Sequence, residues 1–247
     1  MIEQTNLFPQ RGEMTQKIIF TDTTGIMPAD VMPYPTERNL PEWYKETESY
    51  LGGIKKPSGD GRTTASIKKC IPVFDILTAG YLIPLPADIF VSIKEINNEK
   101  TQWFEWANFD LISFHPIEQA PNHPLRGQYP YPKFNNPWAI TTSKGYSLLI
   151  IQPAHRDSPF TILSGIVDTD SYNVPINFPF VMNNPSFEGL IPKGTPIAQV
   201  IPLKRDKWQM FLGDKKNINN VNKHKIQLQT KFFDAYKQMF WHRKEYK

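Results

Sequence analysis

Proline is the residue that most constrains how this chain folds, because it accounts for 23 of the 247 residues. Proline has no backbone N–H to donate and its ring fixes φ, so it interrupts helix interiors and central strands. Such residues are accommodated in turns, strand edges and extended connections. The composition therefore favours many short strands joined by long loops over a helical bundle.

Nine short apolar runs between residues 66 and 203 have the length and the β-branched or aromatic enrichment of strands. They are SIKKCIPVF, IFVSIKEI, WFEWANFDLISF, WAITT, YSLLIIQP, FTILSGIVD, VPINFPFVM, EGLIP and PIAQVIPL. In the second run, Ile89, Val91 and Ile93 recur at every second position, which is the pattern of a strand with one wetter face. No helical periodicity separates the runs, so the sequence predicts an all-β barrel or sandwich.

The first 65 residues are interrupted by proline and predict an extended N-terminal arm. One short helix is expected in this arm over residues 40–50. It should start near Pro41, because proline is tolerated at the first helical position. The β-rich domain is expected to follow over residues 66–210.

The C-terminal part carries the positive charge of the chain. Residues 204–247 contain 12 Lys and Arg against four Asp and Glu, whereas the net charge of the whole chain is only +4. Apolar residues at helical spacing over 224–243 predict a basic amphipathic helix within residues 211–247. Its aromatic face should be buried on the main body or against a second subunit. Its lysines form either a solvated face or, over residues 217–247, a contact to nucleic acid or an acidic protein.

Cys70 is the only cysteine, so no internal disulfide forms and a reducing compartment is expected. Paired with His155 it would be a weak nucleophile candidate, because nothing in the sequence indicates that the two are close. The chain has no run of about 18 apolar residues and no signal-peptide core, so we expect a soluble protein with no membrane partner.

Four short motifs between residues 145 and 201 share their order and spacing with one superfamily. They are Gly145-Tyr146 with Pro153, Gly165-Ile166-Val167-Asp168 with Tyr172, Asn183-Asn184, and Gly194 followed by Ile197-Ala198-Gln199-Val200-Ile201. A weaker match, Ala79-Gly80-Tyr81, lies earlier. In this order the motifs resemble the dUTPase and dCTP-deaminase superfamily. The resemblance implies that the segment from Cys70 to Lys204 forms a compact dUTPase-like, jelly-roll-like β-barrel.

The resemblance also implies site residues. In active members, the Asp of the third motif orients a water for attack on the α-phosphate, and the nearby Tyr packs under the deoxyribose. It therefore implies Asp168 as a catalytic residue and Tyr172, Gln199 and Arg156 as nucleotide-binding residues. No cofactor is expected, except Mg²⁺ if the protein is a nucleotide hydrolase.

Several positions depart from the superfamily pattern. Leu82 stands where the first motif has Asp, and Thr195-Pro196 replace the Arg of the closing motif. The Arg-Ser-Gly motif expected after Pro153 is replaced by residues 154–159. A triphosphate needs amides, cations or a metal around its charges, and most of that cradle is missing.

Three functions stay open on these grounds. The first is a non-catalytic structural or interaction module that forms a homo-oligomer, with a trimer implied by the superfamily. In that case Asp168 and Asp170 are expected to fix a tight turn by accepting backbone amides. The second is a deoxynucleotide-binding or dUTP pyrophosphatase-like enzyme with divergent phosphate-binding motifs. The third is nucleic-acid binding through the basic C-terminal helix.

Four longer phrases, LPEWYK, IKKCIPVFDILTAGYLIPL, KFNNPWAITTSKGYSLLI and GIVDTDSYNVPINFPF, are spread over the chain. Together they resemble an uncharacterised family of phage-associated proteins of about this size. This resemblance implies a phage protein located in the host cytoplasm or in the virion, with other phage structural proteins as partners.

Two other residue groups carry weaker signals. His115, Glu118 and His123 are of metal-ligating types, but their spacing matches no zinc or iron pattern, so no metal site is expected. The aromatic run at 103–109 could stack on nucleic-acid bases, although such runs are more often part of a core.

Overall fold

The computed structural model describes residues 15–56, 64–96, 98–119, 123–124, 131–230 and 233–247. The fold is β-rich, as predicted, with antiparallel strands in several sheets and few helices. Among the described residues no sheet closes into a barrel. The predicted barrel closure is therefore not observed.

The strands and helices are short. Strands lie at β1 (Ile18–Asp22), β2 (Tyr34–Pro35), β3 (Tyr81–Pro84), β4 (Ile89–Ile96), β5 (Glu99–Trp106), β6 (Ile112–His115), β7 (Tyr131–Phe134), β8 (Trp138–Thr142), β9 (Tyr146–Ile151), β10 (Phe160–Ile162), β11 (Gly165–Val167), β12 (Phe178–Met182), β13 (Gly189–Ile191) and β14 (Pro196–Lys204). Helices lie at α1 (Glu42–Glu46), α2 (Ile71–Thr78), α3 (Lys215–Gln229) and α4 (Ala235–Met239).

The strands of the described ranges combine into four antiparallel sheets. The largest has the order β11-β9-β14-β3-β2, and a four-stranded sheet has the order β10-β12-β7-β6. A three-stranded sheet, β13-β4-β5, and the pair β1-β8 complete the set. Because β1 pairs with β8, residues 18–22 of the N-terminal arm are joined to the body by a strand ladder.

One hydrophobic core lies between these sheets and draws residues from most of the strands. Its centre is aromatic: the rings of Phe134 and Phe180 stack with centroids 4.0 Å apart, and Phe160 meets Phe134 edge-on at 4.9 Å. All three side chains are fully buried. Truncating one such Phe to Ala costs about 3–5 kcal/mol, so this cluster is a main source of stability.

Two predicted elements are confirmed. Helix α1 begins directly after Pro41 and buries Tyr44. In β4, Ile89 and Val91 are buried while Phe90 between them is exposed, which is the predicted alternation.

The predicted strand SIKKCIPVF is wrong, because residues 67–69 form a 3-10 turn and the rest begins α2. Pro72 lies in the first turn of α2, where its missing N–H has no intrahelical partner to lose. The run is apolar throughout, and periodicity alone does not separate a buried helix from a buried strand in such a run.

The predicted single helix over 224–243 is also wrong. The chain forms α3 and α4 instead, and Asp234 before α4 has a left-handed φ of 53°. A non-glycine residue in that conformation does not continue a right-handed helix, so the two helices are separate. In the described part of the chain, no helix has the length and apolarity of a membrane-spanning segment.

Candidate functional site

Four of the five motif segments come together in one sheet, whereas Asn183-Asn184 follows β12 of the four-stranded sheet. Ala79–Tyr81 leads into β3, Gly145-Tyr146 opens β9, Gly165–Asp168 covers β11, and the closing motif lies in β14. These four strands are neighbours in the order β11-β9-β14-β3. Motif segments that are far apart in the sequence are thus neighbours in the sheet.

Asp168, the candidate catalytic residue, lies just after β11 with an exposed side chain. Its Oδ1 accepts a hydrogen bond from Ser147 Oγ at 2.7 Å and one from Arg205 Nη1 at 3.3 Å. Ser147 is buried at the start of β9 and Arg205 follows β14 directly. Asp168 is therefore held by a hydroxyl and a guanidinium.

Asp170 shares the same arginine. Its Oδ2 contacts Arg205 Nη2 and accepts the backbone N–H of Gly145 at 2.8 Å. The Arg205 guanidinium, helped by the Gly145 amide, holds the pKa of Asp170 below its ordinary value. Asp170 thus bonds a backbone amide, as the turn interpretation predicts, whereas the Asp168 carboxylate bonds side chains. We call Asp168, Asp170, Arg205 and Ser147 the carboxylate cluster.

Tyr172, a candidate nucleotide-binding residue, stands beside the carboxylate cluster. Its backbone N–H donates to the Asp168 carbonyl at 2.9 Å, which closes a turn after β11. Its side chain is about half exposed. The structure therefore brings Asp168 and Tyr172 together on one side of the molecule.

Arg156, a second candidate binding residue, lines an open cleft of about 360 Å³ beyond the other end of β9. Its guanidinium bonds the Asn39 carbonyl oxygen, and burial lowers its pKa. Among the described residues no carboxylate forms an ion pair with it. Trp43 of α1 forms another wall of the cleft, and its Nε1 donates to the His155 carbonyl at 2.7 Å. The N-terminal arm is thus part of the cleft.

Gln199, the third candidate binding residue, is fully buried in β14. Its Oε1 accepts the Ala154 N–H at 2.9 Å, and its Nε2 donates to the Ile76 and Ala79 carbonyls at 2.9 and 2.8 Å. Both N–H bonds of the side-chain amide are therefore used within the protein. The residue ties the end of α2 to the loop that carries Arg156.

The candidate residues fall into two groups at opposite ends of β9. Tyr146, near the carboxylate cluster, faces Lys204, whereas Ile151, near the cleft, faces Gln199. Six strand residues at about 3.3 Å per residue separate the two ends by about 17 Å. One group contains Asp168 and Tyr172, and the other contains Arg156 and Gln199. Within one chain the two groups do not form a common site.

The weaker sequence signals also have positions. His115 Nδ1 lies 2.6 Å from Gln119 Oε1, and the described residues hold no group of three or more His, Cys, Asp or Glu that could bind a metal. Cys70 lines a second cavity, of about 270 Å³, whose lining does not include His155. In the aromatic run, Phe104 is buried in the core whereas Trp103 is partly exposed.

Sequence reasoning missed Ser147 and Arg205. Arg205 lies 37 residues from Asp168 in sequence, so the ion pair depends on the ladder between β9 and β14. Their positions in the sequence could have indicated the ion pair, because Arg205 directly follows β14 and Asp168 and Asp170 directly follow β11.

A long exposed stretch follows β14. Every residue over 207–226 is exposed, and we call this stretch the projecting segment. It includes four large apolar side chains that are 77–90% exposed: Trp208, Met210, Phe211 and Leu212. Helix α3 buries none of its residues, although an Asp214–Asn217 capping box fixes its start. The chain contacts the body again at Trp241, whose Nε1 donates a hydrogen bond to Asp75 Oδ1 at 2.8 Å.

The chain matches no protein-family model and no curated protein. Function is therefore argued from the site itself, since a fold alone does not determine activity.

Proposed function

We propose that the chain is a non-catalytic structural or interaction module with a dUTPase-like core, and that it acts as a homo-oligomer. The projecting segment carries this proposal. Large apolar side chains exposed to water in a contiguous stretch are typical of protein–protein contacts. A module that assembles with other chains accounts for this exposure, whereas an isolated globular enzyme does not.

The position of the candidate catalytic residues supports the non-catalytic part of the proposal. A general base needs its substrate held within hydrogen-bond reach, and catalysis loses much of its effect when groups are misplaced by even an ångström. Asp168 is held by Arg205 and Ser147 at one end of β9, whereas Arg156 lies beyond the other end. Within one chain these groups serve separate structural contacts.

The setting that we propose is a phage particle or its assembly, in the host cytoplasm or the virion. The support is the resemblance of the phrases quoted above to phage-associated proteins.

Light scattering coupled to size exclusion tests the proposal directly. We expect a defined oligomer, a trimer if the superfamily symmetry holds, at micromolar concentrations and physiological salt. A monodisperse monomer up to the highest accessible concentration would contradict the proposal.

A second candidate function is deoxynucleotide binding, and the state of Arg156 favours it. A partly buried guanidinium that forms an ion pair with no carboxylate of the described residues is a natural partner for an anion. Because Asp168 and Arg156 lie near opposite ends of β9, which are about 17 Å apart, hydrolysis would need carboxylate and arginine from two copies. Thermal shift with a dNTP panel tests binding, and pyrophosphate release by wild type and Asp168→Asn tests hydrolysis. No shift and no release with any dNTP would remove this candidate.

Nucleic-acid binding is a third candidate, favoured by the charge of α3. The helix carries Lys215, Lys216, Lys223 and Lys225 and no acidic residue. Replacing these four lysines with serine should lower affinity for duplex DNA and reduce its salt dependence. Substitution is preferable to deleting residues 217–247, because that deletion also removes the contact of Trp241 with the body. Binding that does not depend on salt would contradict this candidate.

A further inference from the structure

A second exposed apolar surface lies on the three-stranded sheet. Phe90 of β4 faces Leu190 of β13, and both side chains are exposed. Trp103 of β5 and Ile96 of β4 belong to the same face, since they alternate in register with Phe90 and are also exposed. We call these four residues the outer sheet face. The opposite face of β4, with Ile89 and Val91, packs into the core.

The two exposed surfaces have opposite charge. The projecting segment contains five lysines and one aspartate. Of the charged residues in the strands of this sheet, Lys94, Glu99 and Glu105 alternate in register with Phe90 and share the outer sheet face, and Glu188 lies two residues before Leu190. Lys94 pairs with Glu105 at 2.8 Å, so Glu99 and Glu188 leave this face with a net negative charge. A basic apolar segment and an acidic apolar face are complementary in both properties that govern docking.

The size of the projecting segment also fits a stable contact. Burial of one aromatic side chain removes about 150–250 Å² from water, so the four residues at 208–212 offer on the order of 600 Å². A standard interface buries about 800 Å² per partner. Ile218 and Val221, on one stripe of α3, are exposed as well and extend the apolar surface.

Within one chain the two surfaces do not meet, because both remain exposed. We propose that the projecting segment of one copy docks on the outer sheet face of a second copy. This inference rests on the proposed function and names the surfaces that would build the oligomer. The contact joins different surfaces on the two partners, so it is head-to-tail and closes into a ring or continues as a filament.

Two variants test the two sides of the proposed contact independently. The segment variant carries Trp208→Ser, Phe211→Ser and Leu212→Ser, and the face variant carries Phe90→Thr and Leu190→Thr. All five side chains are exposed, and threonine retains strand propensity, so both variants should fold. A control variant with Ile26→Ser and Leu51→Ser removes exposed apolar side chains that lie elsewhere on the surface.

Each variant alone should be a monomer, with self-association weakened by about 100-fold or more, because exposed aromatic anchors dominate interfaces. Mixed together, the two variants should form a dimer and nothing larger, since the segment variant keeps its face and the face variant keeps its segment. The control should assemble like the wild type. These results are read from mass by light scattering at equal concentrations.

Three outcomes would overturn the inference. A mixture that stays monomeric, or either variant assembling like the wild type, shows that these surfaces do not meet and leaves the proposed oligomer standing. A segment variant that loses only DNA binding assigns the segment to nucleic acid instead. A wild type that is monomeric throughout removes both the inference and the proposed function.

Discussion

Gly80 lies directly against the backbone of Val200, so that a Cβ on Gly80 would come within 2.0 Å of the Val200 carbonyl oxygen. Gly80 also has a φ of +69°, a conformation that L-residues with side chains rarely adopt. This contact joins the turn before β3 to β14, the central strand of the sheet that contains Gln199.

Gly80→Ala should therefore destabilise the protein strongly. Strain at positive φ and the clash with β14 act together, and we expect a loss of about 3 kcal/mol or more in the free energy of unfolding. Denaturant titration measures it. Gly25→Ala is the matched control, because Gly25 has a φ of +71° but nothing within 4 Å of its added Cβ. The control should cost only about 1 kcal/mol, and equal losses in both variants would show that the close approach to Val200 is unimportant.

Gln199→Leu should cost about 3 kcal/mol, because it leaves the buried Ala154 N–H without its acceptor and removes one hydrogen bond each from the Ile76 and Ala79 carbonyls. The same denaturant titration measures this loss. Gln229→Ala, at an exposed position, should change stability by less than about 0.5 kcal/mol. A Gln199→Leu variant as stable as the wild type would mean that these three hydrogen bonds contribute little.

The ion pair of Asp170 with Arg205 should give the protein a component of acid sensitivity. The pKa of Asp170 is lowered in the folded state from an ordinary value of 3.8. A group with a depressed folded pKa contributes its full stabilisation above the unfolded value, and that contribution is lost as pH falls below 3.8. Urea midpoints measured between pH 7 and pH 2.5 should therefore fall less steeply in Arg205→Met than in the wild type. Identical pH profiles in the two proteins would contradict this origin of the acid sensitivity.

The last residues of the chain should depend on Asp75 for their place on the body. Asp75 accepts from Trp241 Nε1 and pairs with Lys244 Nζ at 2.6 Å, while Tyr246 meets Tyr81 edge-on. Asp75→Ala should raise the rate of proteolytic cleavage within residues 240–247, followed by mass spectrometry. Asp206→Ala is the control, since Asp206 forms only an exposed pair with Lys204. Unchanged cleavage in Asp75→Ala would show that the other contacts of the tail, such as the hydrogen bond from Tyr81 Oη to the Lys247 carbonyl, hold it without Asp75.

The β-rich class and individual strands such as β4 were predictable because alternation along one strand is a local property. Four strands, β1, β2, β3 and β7, were missed, and all of them except β1 contain a proline. Proline normally indicates that a segment is not a strand. Here hydrogen bonding to strands distant in the sequence outweighs that local preference. Helix α2 was missed for the reverse reason, since its apolar run carries no period that marks a helix.

The candidate site was predictable in part. The motifs identified Asp168 and Tyr172 as candidate site residues, and in the structure the two residues lie side by side. Arg205, the partner of Asp168, lies at a strand end 37 residues away, and no local pattern encodes such a pairing. Gln199 was named as a binding residue, but its burial and its three hydrogen bonds to the protein follow from its place in the middle of the sheet.

The projecting segment is attached to the body at both of its ends, through β14 on one side and through Trp241 and Asp75 on the other. If the segment docks as proposed, tension on it is divided between the central strand β14 and helix α2. A free terminal tail would peel away residue by residue under the same pull. A segment attached at both ends resists such peeling. This property suits a subunit that has to bear mechanical load within an assembly.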